Sequence, residues 1–191
     1  VDTDCLEADI TICNHTDQPQ TAVLLGQVVP WGNEHETAMP LTERTVMISP
    51  HNTVTITVRD KVKGRLKLWS PDTPHLYTME WTLTAQGTIP DHKSTRFGWR
   101  QFHLEGQNIL LNGQEIHLVG DICHPFGPYM FSRRFVESWY RLIKSVGGNA
   151  VRLHAQIPPR IFLDVADEMG ILVLDETAIF GSCLTLHFEE E

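Results

Sequence analysis

The stretch NAVRLHAQIPPRIFLDVADEMGILVLDE, running from Asn149 to Glu176, decides the fold. Ala150 to His154 reads as a short apolar strand that Pro158 and Pro159 stop. Pro159 suits the first turn of a helix, where its missing N–H costs little. Ile161, Phe162, Val165, Ala166 and Met169 then recur at helical spacing, with Asp164, Asp167 and Glu168 on the other face. Gly170 is placed to close that helix in a left-handed conformation. Ile171 to Leu174 is a continuous apolar run, the pattern of a parallel strand buried on both faces. A strand, helix and strand of these lengths predict an α/β sheet or barrel. The polar residues His154, Asp175 and Glu176 collect where the strands end, the edge at which such folds build their sites.

Upstream of this unit, Phe135, Trp139, Leu142, Ile143 and Val146 predict another helix, ended by Gly147 and Gly148. Asn112-Gly113 is a hairpin turn between Asn108–Leu111 and a strand expected over Glu115–Val119. Gly120 to Pro128 reads as a loop. The order from Glu115 is therefore β-α-β-α-β. Residues 1–102 differ in kind. Cys5 to Cys13 alternates, with Leu6, Ala8, Ile10 and Ile12 on one face. Further strands are expected at Thr21–Val29, Arg44–Ile48, Thr53–Val58, His75–Ala85 and Thr95–Leu104, separated by turn clusters such as Asn14-His-Thr-Asp-Gln-Pro19. Such a run of short strands predicts an immunoglobulin-like β-sandwich. The chain thus divides into a sandwich over residues 1–102 and an α/β part over 103–191.

Composition narrows the function. A net charge of −9 over 191 residues argues against a nucleic-acid partner or an anionic membrane surface. No apolar run approaches the roughly 20 residues of a membrane span. The four cysteines lack metal-ligand spacing, and free thiols are expected. The sequence opens on Val1 rather than Met, as an excised segment would.

Three stretches together resemble glycoside hydrolase family 2, the group of β-galactosidases, β-glucuronidases and β-mannosidases. They are Leu68-Trp-Ser-Pro-Asp-Thr-Pro-His-Leu-Tyr77, Phe97-Gly-Trp-Arg-Gln-Phe102 with Leu111-Asn-Gly-Gln-Glu-Ile116, and Asn149-Ala-Val-Arg152 with Asp167-Glu-Met-Gly-Ile-Leu-Val-Leu-Asp-Glu176. The resemblance implies a sandwich leading into the first β-α-β-α-β portion of a truncated (β/α)8 TIM barrel. Such barrels need about 250 residues, more than the chain holds after residue 102. It further implies a retaining glycosidase acting on β-linked carbohydrate, with an acid/base and a nucleophilic glutamate on barrel strands beyond this segment. The segment alone is then expected to be inactive.

Substrate-binding candidates are Asp121, His124 and His154, each expected after a barrel strand, where histidine can hydrogen-bond sugar hydroxyls. Arg152 lies inside an apolar strand, where an unpaired charge is costly, so a carboxylate partner is expected, with Glu176 the candidate. Both are assigned to support of the site. His154 lies two residues past Arg152, whereas the family commonly places its histidine three past. On a continuing strand that slip would reverse the side chain's direction. Family galactosidases carry a magnesium-binding Glu where this chain has Phe180, so neither metal nor other cofactor is expected. Trp69, Trp81 and Trp99 are assigned to packing rather than to sugar platforms. The expected partner is a carbohydrate substrate, with self-association through the exposed edges of the truncated barrel. The alternative function is a non-catalytic carbohydrate-binding or interaction scaffold. A small three-layer domain with a complete sheet is the alternative fold.

Overall fold

The computed structural model describes residues 4–33, 36–87, 89–123, 129–155 and 157–177. The chain is mostly β, with two helices among these residues. It divides into two compact units, one formed by Val1–Leu68 and His75–Gln101, the other by Trp69–Pro74 and Phe102–Glu191.

In the first unit, β1 (Cys5–Cys13) pairs antiparallel with β5 (Thr53–Lys61). A second sheet contains β2 (Gln20–Pro30), β3 (Met39–Pro40), β4 (Arg44–Ile48), β6 (Leu76–Ala85) and β7 (Asp91–Gly98), in the order β3-β2-β6-β7 with β4 also on β2. The alternation seen in Cys5–Cys13 is realised. Ala8, Ile10 and Ile56 pack with Leu24, Val58 and Trp81, while Leu6 joins Val28, Met39, Val62, Leu66 and Tyr77. Two β layers therefore share an apolar interior. Gly26 stands opposite Trp81 in the ladder, and a Cβ there would lie 2.3 Å from the indole ring. That absence of a side chain lets the ring lie flat on the strand. The turn after β1 is pinned by Asn14, whose buried amide donates to the carbonyls of Gln18, Ile48 and Ser49.

One strand was expected over Thr95–Leu104, and the structure breaks it. β7 ends at Gly98, and β8 (Phe102–Glu105) joins β9 (Asn108–Leu111) and β10 (Gln114–Glu115) in a separate sheet of the second unit. Apolar residues continue through the break, which is why periodicity alone ran the strands together. The hairpin turn forms at Asn112 and Gly113, both left-handed at φ 55° and 78°, as a two-residue turn of the Asn-Gly kind requires.

The remaining elements of the second unit are β11 (Gly120–Cys123), α1 (Arg133–Ser145), β12 (Ala150–Leu153), α2 (Arg160–Met169) and β13 (Leu172–Asp175). The strands form a parallel sheet in the order β11-β12-β13. The first parallel strand is thus Gly120–Cys123, not the expected Glu115–Val119. Gly120 makes its pairing possible, because a Cβ there would meet the Ala150 carbonyl oxygen at 1.9 Å. Both helices lie on one face of this sheet, where Val136, Tyr140, Ile143, Phe162, Val165 and Ala166 bury Val151 and Leu153. Ser132 caps α1 by accepting from the Phe135 N–H, and Gly170 closes α2 at φ 71°. Pro159 is the residue preceding α2 rather than its first.

The segment Trp69–Pro74 belongs to this second core. Trp69 is fully buried and donates from Nε1 to the Asp167 carbonyl at 2.8 Å, while the Asn112 amide donates to the Trp69 carbonyl at 3.0 Å. The Lys144 ammonium donates to the Pro71 carbonyl at 2.7 Å. Gly170 passes so close to Pro71 that a Cβ would lie 2.1 Å from that same oxygen.

Candidate functional site

Parallel pairing puts registered residues on the same face of the sheet. Val151 pairs with Asp121 and Val173, and its side chain packs among the helices. Ile122, Arg152 and Leu174 are mutually registered and so occupy the opposite face. That face is open: Ile122 is 48% and Leu174 44% exposed. It carries an arginine between two aliphatic side chains, a charge that needs a partner close by.

The partner is Glu176, one residue beyond β13. Arg152 Nε hydrogen-bonds Glu176 Oε1, and the Ala155 N–H donates to Oε2 at 2.9 Å. His154 Nδ1 lies 3.3 Å from the same Oε2, with both side chains mostly shielded from solvent at 26% and 29% exposure. The guanidinium hydrogen bond first, and the Ala155 N–H second, hold the Glu176 carboxyl below its usual range; burial opposes them. One carboxylate therefore ties together the ends of two adjacent parallel strands.

The slip at His154 is resolved by where the strand stops. β12 ends at Leu153, and Ala155 adopts a left-handed backbone at φ 50°. His154 is thus on the turn, free of the strand's alternation, and its ring reaches the carboxylate that Arg152 also holds. Neither the role of the Ala155 N–H nor its positive φ was legible, since alanine carries no turn signal.

Of the predicted residues, the structure brings Arg152, His154 and Glu176 together. Asp121 is elsewhere. It is the second residue of β11, is exposed, accepts from the Ile122 N–H at 2.8 Å, and lies on the face registered with Val151. His124 lies outside the described residues. Asp175 registers with Leu153 and so falls on the helix-covered face, away from the pair. Among the described residues no group of three or more His, Cys, Asp or Glu side chains could hold a metal ion. None of the helices there is long and apolar enough to cross a membrane.

The sequence pattern of the glycosyl hydrolases family 2 matches residues 2–100, and the chain belongs to that family. It is similar to a β-galactosidase of Bacteroides ovatus, 31% identical over 115 residues, which cover 58% of this chain and 13% of that protein. A β-galactosidase of Lactococcus lactis is 32% identical over 117 residues, covering 59% of this chain and 12% of that protein. The chain thus spans a small part of the curated relatives it matches. In fold it resembles Bacteroides uniformis β-glucuronidase 2, solved covalently bound to cyclophellitol-6-carboxylate aziridine, with a TM-score of 0.76 at 20% identity over 92% of this chain and 21% of that one.

Proposed function

We propose that the chain is the immunoglobulin-like sandwich and the first arc of the catalytic barrel of a retaining glycoside hydrolase acting on β-linked carbohydrate. The observation that carries this reading is the parallel sheet β11-β12-β13, with both helices on one face and the Arg152–Glu176–His154 cluster at its C-terminal edge. Strand-following helices on one side only are what a barrel arc requires, whereas a three-layer sheet would cover both faces. The open face with Ile122 and Leu174 would then be the interior of the barrel, filled by strands beyond this segment. Its edges and apolar face also give the isolated chain a surface for self-association.

In this reading the chain supplies sugar positioning and the catalytic carboxylates come from elsewhere. Retaining hydrolysis needs two carboxyl groups about 5 Å apart, one to attack the anomeric carbon and one to protonate the leaving oxygen. Glu176 is committed to Arg152 and the Ala155 N–H, and Asp175 lies on the other face, so the two do not form that pair. His154, whose Nδ1 lies 3.3 Å from Glu176 Oε2, stands at the strand ends, where an imidazole can hydrogen-bond a sugar hydroxyl. His124 is assigned the same role from the family pattern.

The test compares this chain with the longer polypeptide that contains it, using nitrophenyl β-galactoside, β-glucuronide and β-mannoside. Turnover is expected only from the longer protein, weakened there by His154→Ala. Turnover by residues 1–191 alone, lost on Glu176→Gln, would place the chemistry inside this segment and overturn the reading. Retention of full activity by the longer protein carrying His154→Ala would remove His154 from the site.

A further inference from the structure

We propose that Glu176 is a positioning residue: its carboxylate holds the strained peptide of Ala155 and so sets where the His154 imidazole stands against the carbohydrate. The inference rests on the reading that this edge of the sheet meets a sugar. Leu153 and Asp175 are the last registered pair of β12 and β13. His154 and Glu176 are therefore the next residue on each strand path, and the carboxylate starts level with the turn it holds. Its two oxygens have separate partners. Oε1 accepts from Arg152 Nε, and Oε2 accepts from the Ala155 N–H at 2.9 Å.

Ala155 needs such a hold. At φ 50° its Cβ crowds the following carbonyl oxygen, which is why glycine, and less often asparagine and aspartate, occupy this region. The other non-glycine residues with positive φ among the described residues are Asp4, His51, Lys63 and Asn112, each with a polar side chain. Alanine has no side-chain group with which to brace its own turn. A strained backbone of this kind persists where its surroundings over-determine it, and such positions cluster at ligand sites. The same arrangement stands in the first unit, where Lys63, at φ 52°, gives its N–H to the Asp4 carboxylate at 3.0 Å. A carboxylate on the N–H of a left-handed residue is thus how this chain secures a turn that its sequence does not favour.

The order of dependence follows from the contacts. Arg152 lies within β12 and fixes the direction of the carboxylate through Oε1. The fixed carboxylate makes a charge-assisted hydrogen bond to the Ala155 N–H. The turn so held carries His154, whose Nδ1 also lies 3.3 Å from Oε2. Pro158 and Pro159 restrict the chain on the far side of the turn, ahead of α2. Glu176 therefore acts on the sugar through His154 and not by touching it. A displacement of about 1 Å at a substrate-positioning group is enough to cost roughly 100-fold in rate.

The test uses the longer polypeptide with whichever of nitrophenyl β-galactoside, β-glucuronide and β-mannoside it hydrolyses. Glu176→Ala should lower kcat/KM roughly 10- to 100-fold, the range expected for losing a hydrogen bond to a charged group. Adding Ala155→Gly, which adopts the left-handed turn without strain, should recover roughly 5- to 30-fold of that loss. Arg152 has lost the same partner in both variants, so the recovery reports on the turn. In a His154→Ala background, Glu176→Ala should change kcat/KM by less than about twofold, because its effect runs through the missing imidazole. In residues 1–191, where no turnover is needed, Glu176→Ala should shift the Ala155 amide resonance and speed its exchange relative to that of Val151. Additive losses from Glu176→Ala and His154→Ala, no recovery with Ala155→Gly, or an Ala155 amide indifferent to Glu176→Ala each overturn the proposal alone. No turnover by the unaltered longer polypeptide overturns the glycosidase reading, and the positioning role with it.

Discussion

The indole N–H of Trp69 donates to the backbone carbonyl of Asp167, a 2.8 Å hydrogen bond between residues 98 apart in sequence. The bond anchors a loop segment to the last turns of α2, and the indole carrying it is fully buried. Trp69→Phe keeps most of the apolar volume but takes away this donor. It should cost about 1–2 kcal/mol. Trp69→Ala adds a cavity and should cost about 3–5 kcal/mol. Urea unfolding followed by a probe in the second unit measures both. Equal losses for the two variants would show that the hydrogen bond, rather than the packing, dominates.

Gly170 and Gly64 share a left-handed backbone, at φ 71° and 72°, but not their surroundings. Gly64 faces open space, whereas a Cβ on Gly170 would meet the Pro71 carbonyl oxygen. Gly64→Ala should therefore cost only the conformational penalty, about 1–2 kcal/mol. Gly170→Ala should exceed that, because backbone must move to admit the methyl group. Denaturation midpoints of the two variants decide it, and matching values would mean that the Pro71 segment yields easily.

Glu176 makes stability depend on pH in a defined direction. Its folded carboxyl lies below the ordinary range, chiefly because Arg152 hydrogen-bonds the charged form. The unfolded chain therefore takes up its proton first as the pH falls. The contribution is fully present above the unfolded value, about 4.3, and disappears as the pH drops through the lower folded value. Glu176→Gln should flatten the acid limb of the stability profile and leave the region above pH 6 parallel to the wild type. An unchanged acid limb would show that the pair adds no net stability.

Ile122 and Leu174 provide a handle on self-association. Both are exposed on the face of the parallel sheet opposite the helices. Ile122→Lys combined with Leu174→Lys should lower the sedimentation coefficient at high protein concentration and leave the helix content unchanged. If the wild type sediments as a monomer at every concentration, that surface does not drive association by itself.

Much of this architecture could be read from the sequence wherever periodicity and punctuation agreed. The alternation in Cys5–Cys13, the Asn112-Gly113 turn, the apolar stripe of α2 and the Gly170 cap each rest on local physics, and each is present. The pairing of Arg152 with Glu176 was legible because a charge in an apolar strand demands a partner. Errors arose where local signals were silent. Gly120-Asp-Ile-Cys123 resembles a loop by composition, yet pairs with β12 because Gly120 lets the backbones approach. That mistake placed Asp121 past a strand end, when it lies within the strand. The turn at His154 and Ala155 depends on where β12 stops, which tertiary pairing sets and spacing does not.

The excursion at Trp69–Pro74 gives the molecule a timetable. During synthesis these residues precede Asp167 by 98 positions, about 5–20 s of elongation at 5–20 residues per second. Throughout that interval the indole has no α2 to enter. What the segment does have is its own turn: the Ser70 N–H bonds to the Thr73 carbonyl at 3.1 Å, and the Thr73 N–H to the Ser70 hydroxyl at 3.1 Å. With Pro71 and Pro74 restricting the backbone further, the turn can form from local contacts before its partners exist. The bend is thus set by the segment's own residues, and the later helix adds the burial of the indole.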